Sequence, residues 1–191
     1  MPRLGLGIHE FLCGKLVDAR PEAWHDDRVG GSVSALMKFR IIAVGRMKTG
    51  PEQALFEHYA ARVKPAITLK EVEEKRPLSS AELKAREAEL LLAALDESKG
   101  KRAVVVLDER GKPLGSRDFA ARLQRFEDDG AGEIAFLIGG ADGHGQAVLD
   151  RADLKLSLGA MTWPHMMVRA MLAEQLYRAQ AILSGHPYHR D

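Results

Sequence analysis

The sequence predicts an α/β domain: a mainly parallel sheet with helices on both faces. Three observations carry the expectation. Apolar, β-branched runs recur at FRIIAVG (39–45), RAVVVLD (102–108) and EIAFLIGG (133–140), each the length of one buried strand. The segments between them carry apolar residues at helical spacing. Strand and helix alternate five times, which is the order that a parallel sheet with crossover helices imposes.

Each element has its own local reason. Residues 39–45 form the first strand, and PEQALFEHYAARV (51–63) a helix with Pro51 in its first turn, where a missing N–H costs nothing. ITLKEVEE (67–74) alternates apolar and polar like an outer strand. Ser79 and Glu82 have capping-box spacing and open a helix running to about Ser98. After strand 102–108, Ser116 is expected to cap SRDFAARLQRFED, and Gly130 and Gly132 break that helix before strand 133–140. A short helix at 146–152 leads to LKLSLG (154–159). Thr162 and Pro164 then open the long helix HMMVRAMLAEQLYRAQAIL, stopped by Gly185 and Pro187.

The chain has 191 residues, 46% of them hydrophobic and 29% charged, as in ordinary globular proteins. A net charge of +1 excludes a globally basic nucleic-acid coat but not a local patch. No apolar run approaches the roughly 20 residues that span a bilayer. The single cysteine, Cys13, can form neither an intrachain disulfide nor a multi-cysteine zinc site, and a reducing cytoplasm is the natural reading. Residues 1–36 lack any sustained period and no clear cleavage site follows Arg3. They are expected to be an N-terminal extension, disordered or a start-site artefact, with the folded domain at 37–191.

Ligands of such sheets sit at the carboxyl ends of the strands. Here those ends are Leu107-Asp108, Ile138-Gly139-Gly140 and Leu158-Gly159. The stretch GGADGHG (139–145) lacks the G-x-G-x-x-G spacing and follows the fourth strand, which argues against a dinucleotide; no phosphate-binding P-loop occurs either. Gly139 and Gly140 make either a plain tight turn or a backbone that approaches a flat ligand and adopts φ > 0. Met166, Met167, Met171, Leu172 and Leu176 fit an apolar packing face. Met171 and its neighbours fit a partner-subunit contact equally well.

The pieces AVG, LDERGK, LIGGADG, SLGAMTWPHMMVR, EQLYRA and GHPYHR, in this order and spacing over 37–191, resemble the RlmH family. These are 23S rRNA pseudouridine N3-methyltransferases of the SPOUT superfamily. The resemblance implies a SPOUT-type α/β-knot, a mainly parallel sheet flanked by helices with a C-terminal trefoil knot. It also implies a homodimer, S-adenosyl-L-methionine as cofactor, and a substrate in the large ribosomal subunit or assembled 70S ribosome. By motif, the implied cofactor contacts are Leu107, Gly140, Leu158, Gly159, Ala160, Met161, Thr162 and Trp163. Gly159 stands where the family usually has serine, so a side-chain hydrogen bond is lost there but not a backbone one. Residues 1–36 have no counterpart. A non-catalytic RNA- or ribosome-binding module with the same fold is the alternative.

The chain ends in GHPYHRD. Tyr188 can stack on a base, His189 can move a proton near neutral pH, and Arg190 can pair with phosphate or an imide oxygen. These three are the candidate catalytic residues; a solvated tail is the competing reading. A metal site is the weaker rival: His186 and His189 are three apart, but no thiol or carboxylate motif joins them. Arg169, Arg178 and His165 are the candidate RNA contacts, with a capping or core role open for His165.

Overall fold

A computed structural model describes residues 37–189; residues 1–36 and 190–191, with the expectations for the extension and for Arg190, lie outside the described residues. Five strands, β1 (Lys38–Val44), β2 (Thr68–Val72), β3 (Arg102–Pro113), β4 (Glu133–Ile138) and β5 (Leu154–Ser157), alternate with five helices. These are α1 (Pro51–Ala60), α2 (Ser80–Asp96), α3 (Ser116–Asp128), α4 (Gln146–Asp150) and α5 (His165–Ser184). The sheet order is β2-β1-β4-β3-β5, and every pairing is parallel.

The pleat explains the continuous apolar runs. Ile41, Val105 and Phe136 point to one face and join Phe56 of α1, Phe119 and Leu123 of α3, and Leu172 and Leu176 of α5. Their neighbours Ile42, Val104, Val106 and Leu137 point to the other, against Ala88, Leu91 and Leu95 of α2 and Val148 of α4. Both faces are buried, so the strands read as apolar runs rather than alternating ones; the buried Arg40 of β1 is paired with Glu97 at 3.0 Å. Each fully buried leucine or phenylalanine contributes about 1.5–3 kcal/mol of apolar transfer.

Helix ends follow the expected chemistry in two places and depart from it in two. Ser79 accepts from the Glu82 N–H while Glu82 accepts from the Ser79 N–H, a complete capping box for α2. Gly185 ends α5 in the left-handed conformation, φ 69°, with the His186 N–H on the Ala181 carbonyl at 2.8 Å. Ser116 does not cap α3: Gly115 holds that position, and the Ser116 hydroxyl instead donates to Gln175 of α5 at 3.0 Å. Thr162 does not cap α5 either; Pro164 is the capping residue and no side chain bonds there.

β3 outlasts its expected end at 108. Leu156 of β5 pairs with both Leu107 and Lys112, so residues 108–111 leave the ladder and rejoin it. Gly111 lies on the backbone of β5: a Cβ there would stand 2.6 Å from the Leu156 carbonyl carbon and 2.8 Å from its nitrogen. Only glycine allows that approach.

Candidate functional site

The first turn of α3 departs from β3 into the core of one face, and α4 departs from β4 into the core of the other. The chain thus diverges above the carboxyl ends of β3 and β4, the position where open α/β sheets bind ligands. Leu107, Gly139 and Gly140 meet there. They are joined by a residue that sequence reasoning passed over, His144. It is buried, and its Nε2 bonds the Leu107 carbonyl at 3.0 Å. A carbonyl only accepts, so Nε2 carries the proton and Nδ1 is a bare acceptor, buried and without a partner among the described residues. Burial lowers the His144 pKa, opposed by the Leu107 bond, which keeps the imidazole neutral near pH 7.

The glycines serve differently from expectation. In these loops the positive-φ glycines are Gly143 (φ 72°) and Gly159 (φ 119°), not Gly139 and Gly140. Gly143 closes a turn by donating to the Gly140 carbonyl at 3.1 Å. Gly139 and Gly140 are needed for close approach. A Cβ on Gly139 would stand 3.2 Å from His144 Cε1, and one on Gly140 would stand 2.7 Å from Glu87 Oε2. The φ of Gly159 would strain a side chain there. Ser157 Oγ accepts from the Gly159 N–H at 3.2 Å and donates to its carbonyl at 3.0 Å.

The loop 158–164 joins β5 to α5. Ala160, Met161 and Thr162 are exposed, Met161 at 69%, while Trp163 is half-buried with its indole N–H buried and unpartnered. Leu158 and Gly159 also line a groove of about 560 Å³ between α1, α3 and α5, with Leu55, Tyr59, Leu114 and Met171. Leu107, Gly140 and residues 160–163 do not line it, so only the start of this loop reaches the groove.

The expected RNA contacts divide. Arg169 has no exposed surface; it is clamped to Glu71 and to the carbonyls of Val44 and Gly45, so it has nothing to offer RNA. His165 packs beside it against Gly45, and burial followed by the Arg169 charge lowers its pKa. Arg178 remains partly exposed but is held by Glu174, whose carboxylate raises the guanidinium pKa. Of the tail, Tyr188 folds back on α5. Its hydroxyl donates to Glu174 Oε1 at 3.0 Å, its ring lies 4.5 Å from that of Tyr177, and Arg178 sits 4.8 Å from its centroid. Burial first, then Tyr59 and Glu174, hold its pKa well above the usual phenol value, which excludes it as a base. His189 Nδ1 is 3.5 Å from Arg178 Nη1.

A parallel sheet covered by helices on both faces, with carbonyls, close-packed glycines and a buried imidazole at the ends of β3 and β4, defines an α/β protein with a crevice at its strand ends. Residues 37–189 match the family described as predicted SPOUT methyltransferase. The ribosomal RNA large subunit methyltransferase H of Paramagnetospirillum magneticum is 63% identical over 154 residues, 81% of this chain and 99% of that protein. That of Rhodospirillum rubrum is 56% identical over 155 residues, 81% of this chain and 100% of that protein. A probable methylase family protein from Haemophilus influenzae shares the fold, with TM-score 0.52, 15% identity, and coverage of 82% of this chain and 72% of that one. The chain belongs to the SPOUT methyltransferases and, within them, to the family of these large-subunit enzymes.

Proposed function

We propose that the protein is an S-adenosyl-L-methionine-dependent methyltransferase acting on N3 of a pseudouridine in 23S rRNA of the large subunit or 70S ribosome. The observation that carries this is the 63% identity with a ribosomal RNA large subunit methyltransferase H along 99% of its length. The proposal includes a cytoplasmic homodimer, a trefoil knot, and a catalytic unit starting at residue 37. Leu55 and Met167, exposed on α1 and α5 beside the apolar groove, support a partner copy. Among the described residues no helix is long and apolar enough to cross a membrane.

The residues present fit the cofactor. Unpartnered His144 Nδ1 and the Trp163 indole N–H offer one acceptor and one donor, and the glycine-cradled backbone can approach a flat adenine. Leu107, Gly140, Leu158, Gly159, Ala160, Met161, Thr162 and Trp163 would hold it. S-adenosylmethionine supplies the methyl group as an activated sulfonium, so this chain must orient rather than activate. The target imide N–H is a weak nucleophile until its proton leaves. His189 can accept that proton and Arg190 can stabilise an imide oxygen, with Arg178 keeping the tail beside α5. His165 and Arg169 support the start of α5 instead of touching RNA.

The test is methyl transfer from labelled cofactor to ribosomes lacking the modification, with the product mapped by mass. Label at N3 of a large-subunit pseudouridine is expected; cofactor binding without transfer to any ribosomal RNA would favour the non-catalytic module.

A further inference from the structure

Glu87 is the buried charge with no use so far. It lies in the middle of α2, is 8% exposed, and has neither a hydrogen-bond nor an ion-pair partner among the described residues. Its neighbours on the same helix behave otherwise: Arg86 pairs with Glu74 and Glu89, and neither Arg86 nor Lys84 reaches it. Its two carboxylate oxygens stand 2.7 and 2.9 Å from where a Gly140 Cβ would be. The carboxylate therefore occupies the side-chain space of Gly140, at the strand end where His144 Nδ1 is also unpartnered. The one charged group acting on it is Asp142 of the β4–α4 loop, of the same sign. Burial first and Asp142 second raise its pKa. A carboxylate held next to another of the same sign is unfavourable for the free protein until something positive completes the site.

We propose that the Glu87 carboxylate is the counter-charge for the cationic end of the cofactor, reached past Gly140. The inference rests on the S-adenosylmethionine reading above. That ligand brings two positive centres, the sulfonium and the α-ammonium, and no phosphate, so a lone carboxylate among backbone groups suits it where a nucleotide would be repelled. Gly140 has a second purpose on this account. Any side chain there would strike the carboxylate before it met the ligand, so glycine keeps Glu87 in place.

Calorimetry on the full chain tests this, with S-adenosylmethionine and S-adenosylhomocysteine titrated separately. Glu87→Gln is expected to weaken S-adenosylmethionine binding tenfold or more while the melting temperature stays level or rises, because the repulsion from Asp142 has gone. A merely structural Glu87 would lower the melting temperature instead. If the carboxylate faces the sulfonium, homocysteine-product affinity changes less than threefold; if it faces the ammonium, both ligands weaken alike. Gly140→Ala should reproduce the loss by displacing the carboxylate, and the double variant should be no worse than either single one. Binding of S-adenosylmethionine within twofold of wild type by Glu87→Gln overturns the inference. A wild-type protein that binds no S-adenosylmethionine overturns the functional reading itself, a different result.

Discussion

Arg169, on α5, donates to Glu71 Oε1 of β2 at 2.5 Å and to the carbonyls of Val44 and Gly45 at 2.7 and 2.8 Å. Glu71 in turn accepts from the Met47 N–H at 2.7 Å. One fully buried guanidinium thus ties the start of α5 to the carboxyl ends of β1 and β2. Arg169→Met would leave two buried carbonyls without this donor and Glu71 with only the Met47 N–H, a loss of about 3 kcal/mol. The melting temperature should fall on the order of 10 °C. An unchanged melt with weakened RNA binding would return Arg169 to the surface role that its sequence position suggested.

Gly111 offers a sharper stability test. Its missing Cβ would overlap the Leu156 backbone, which cannot rotate away as a side chain could. Gly111→Ala should destabilise by about 2–3 kcal/mol through overpacking, measured by urea denaturation. Gly100, where nothing stands within 4 Å of a Cβ, is not a neutral control, because its φ of 109° strains any side chain. Gly132, exposed and with a Cβ that would meet only the Lys101 carbonyl oxygen at 3.9 Å, is the suitable one.

What was legible in the sequence follows from the range of the interactions. Strand runs, the Ser79–Glu82 capping box and the Gly185 stop are local, set by neighbours within a few residues, and each is present in the fold. Arg169 reads as a surface cation because its partners are 98 and 124 residues or more distant, and no spacing rule reaches them. His144 was hidden among glycines: the signal was a histidine in a strand-end loop, but its partner lies 37 residues back. Glu87 looked like one more acid on a charged helix, and only burial distinguishes it.

His144 gives the fold a pH dependence of definite sign. Its folded pKa is lowered by burial, with Asp108 raising it and Lys84 lowering it by smaller effects. The neutral form is therefore favoured in the fold, and its contribution is fully present above the unfolded value of about 6.5. It is lost as pH falls below that value toward the lowered folded pKa. Melting temperatures of wild type and His144→Gln, recorded from pH 8 to pH 5, should converge at the acid end. A constant gap would mean that His144 does not titrate in this range.

Tyr188 belongs to the fold more than its place in the tail implied. Its ring packs on Tyr177 and its hydroxyl shares Glu174 Oε1 with Arg178. Tyr188→Phe should cost about 1 kcal/mol through the lost hydrogen bond. Tyr188→Ala should cost more, because the contact with Tyr177 goes too. Equal melting temperatures for Tyr188→Ala and wild type would show that the ring is free to serve substrate alone.

The final prediction separates the last residues from that anchor. With Tyr188 fixed on α5, His189 is held beside Arg178, and the chain continues to Arg190 from an ordered support. Arg190 offers a planar donor fork for a phosphate or imide oxygen. Arg190→Ala should keep the melting temperature and the S-adenosylmethionine affinity of wild type, yet lower methyl transfer to ribosomes tenfold or more, about 1.4 kcal/mol of transition-state stabilisation. His189→Ala should behave alike, but if His189 takes the imide proton its defect should shrink as pH rises toward the imide's own pKa, since the substrate then ionises unaided. Transfer is best measured below saturating ribosome, where kcat/KM reads the transition state directly. Wild-type rates for Arg190→Ala under those conditions would leave the tail a clasp for α5, with substrate binding carried by other residues.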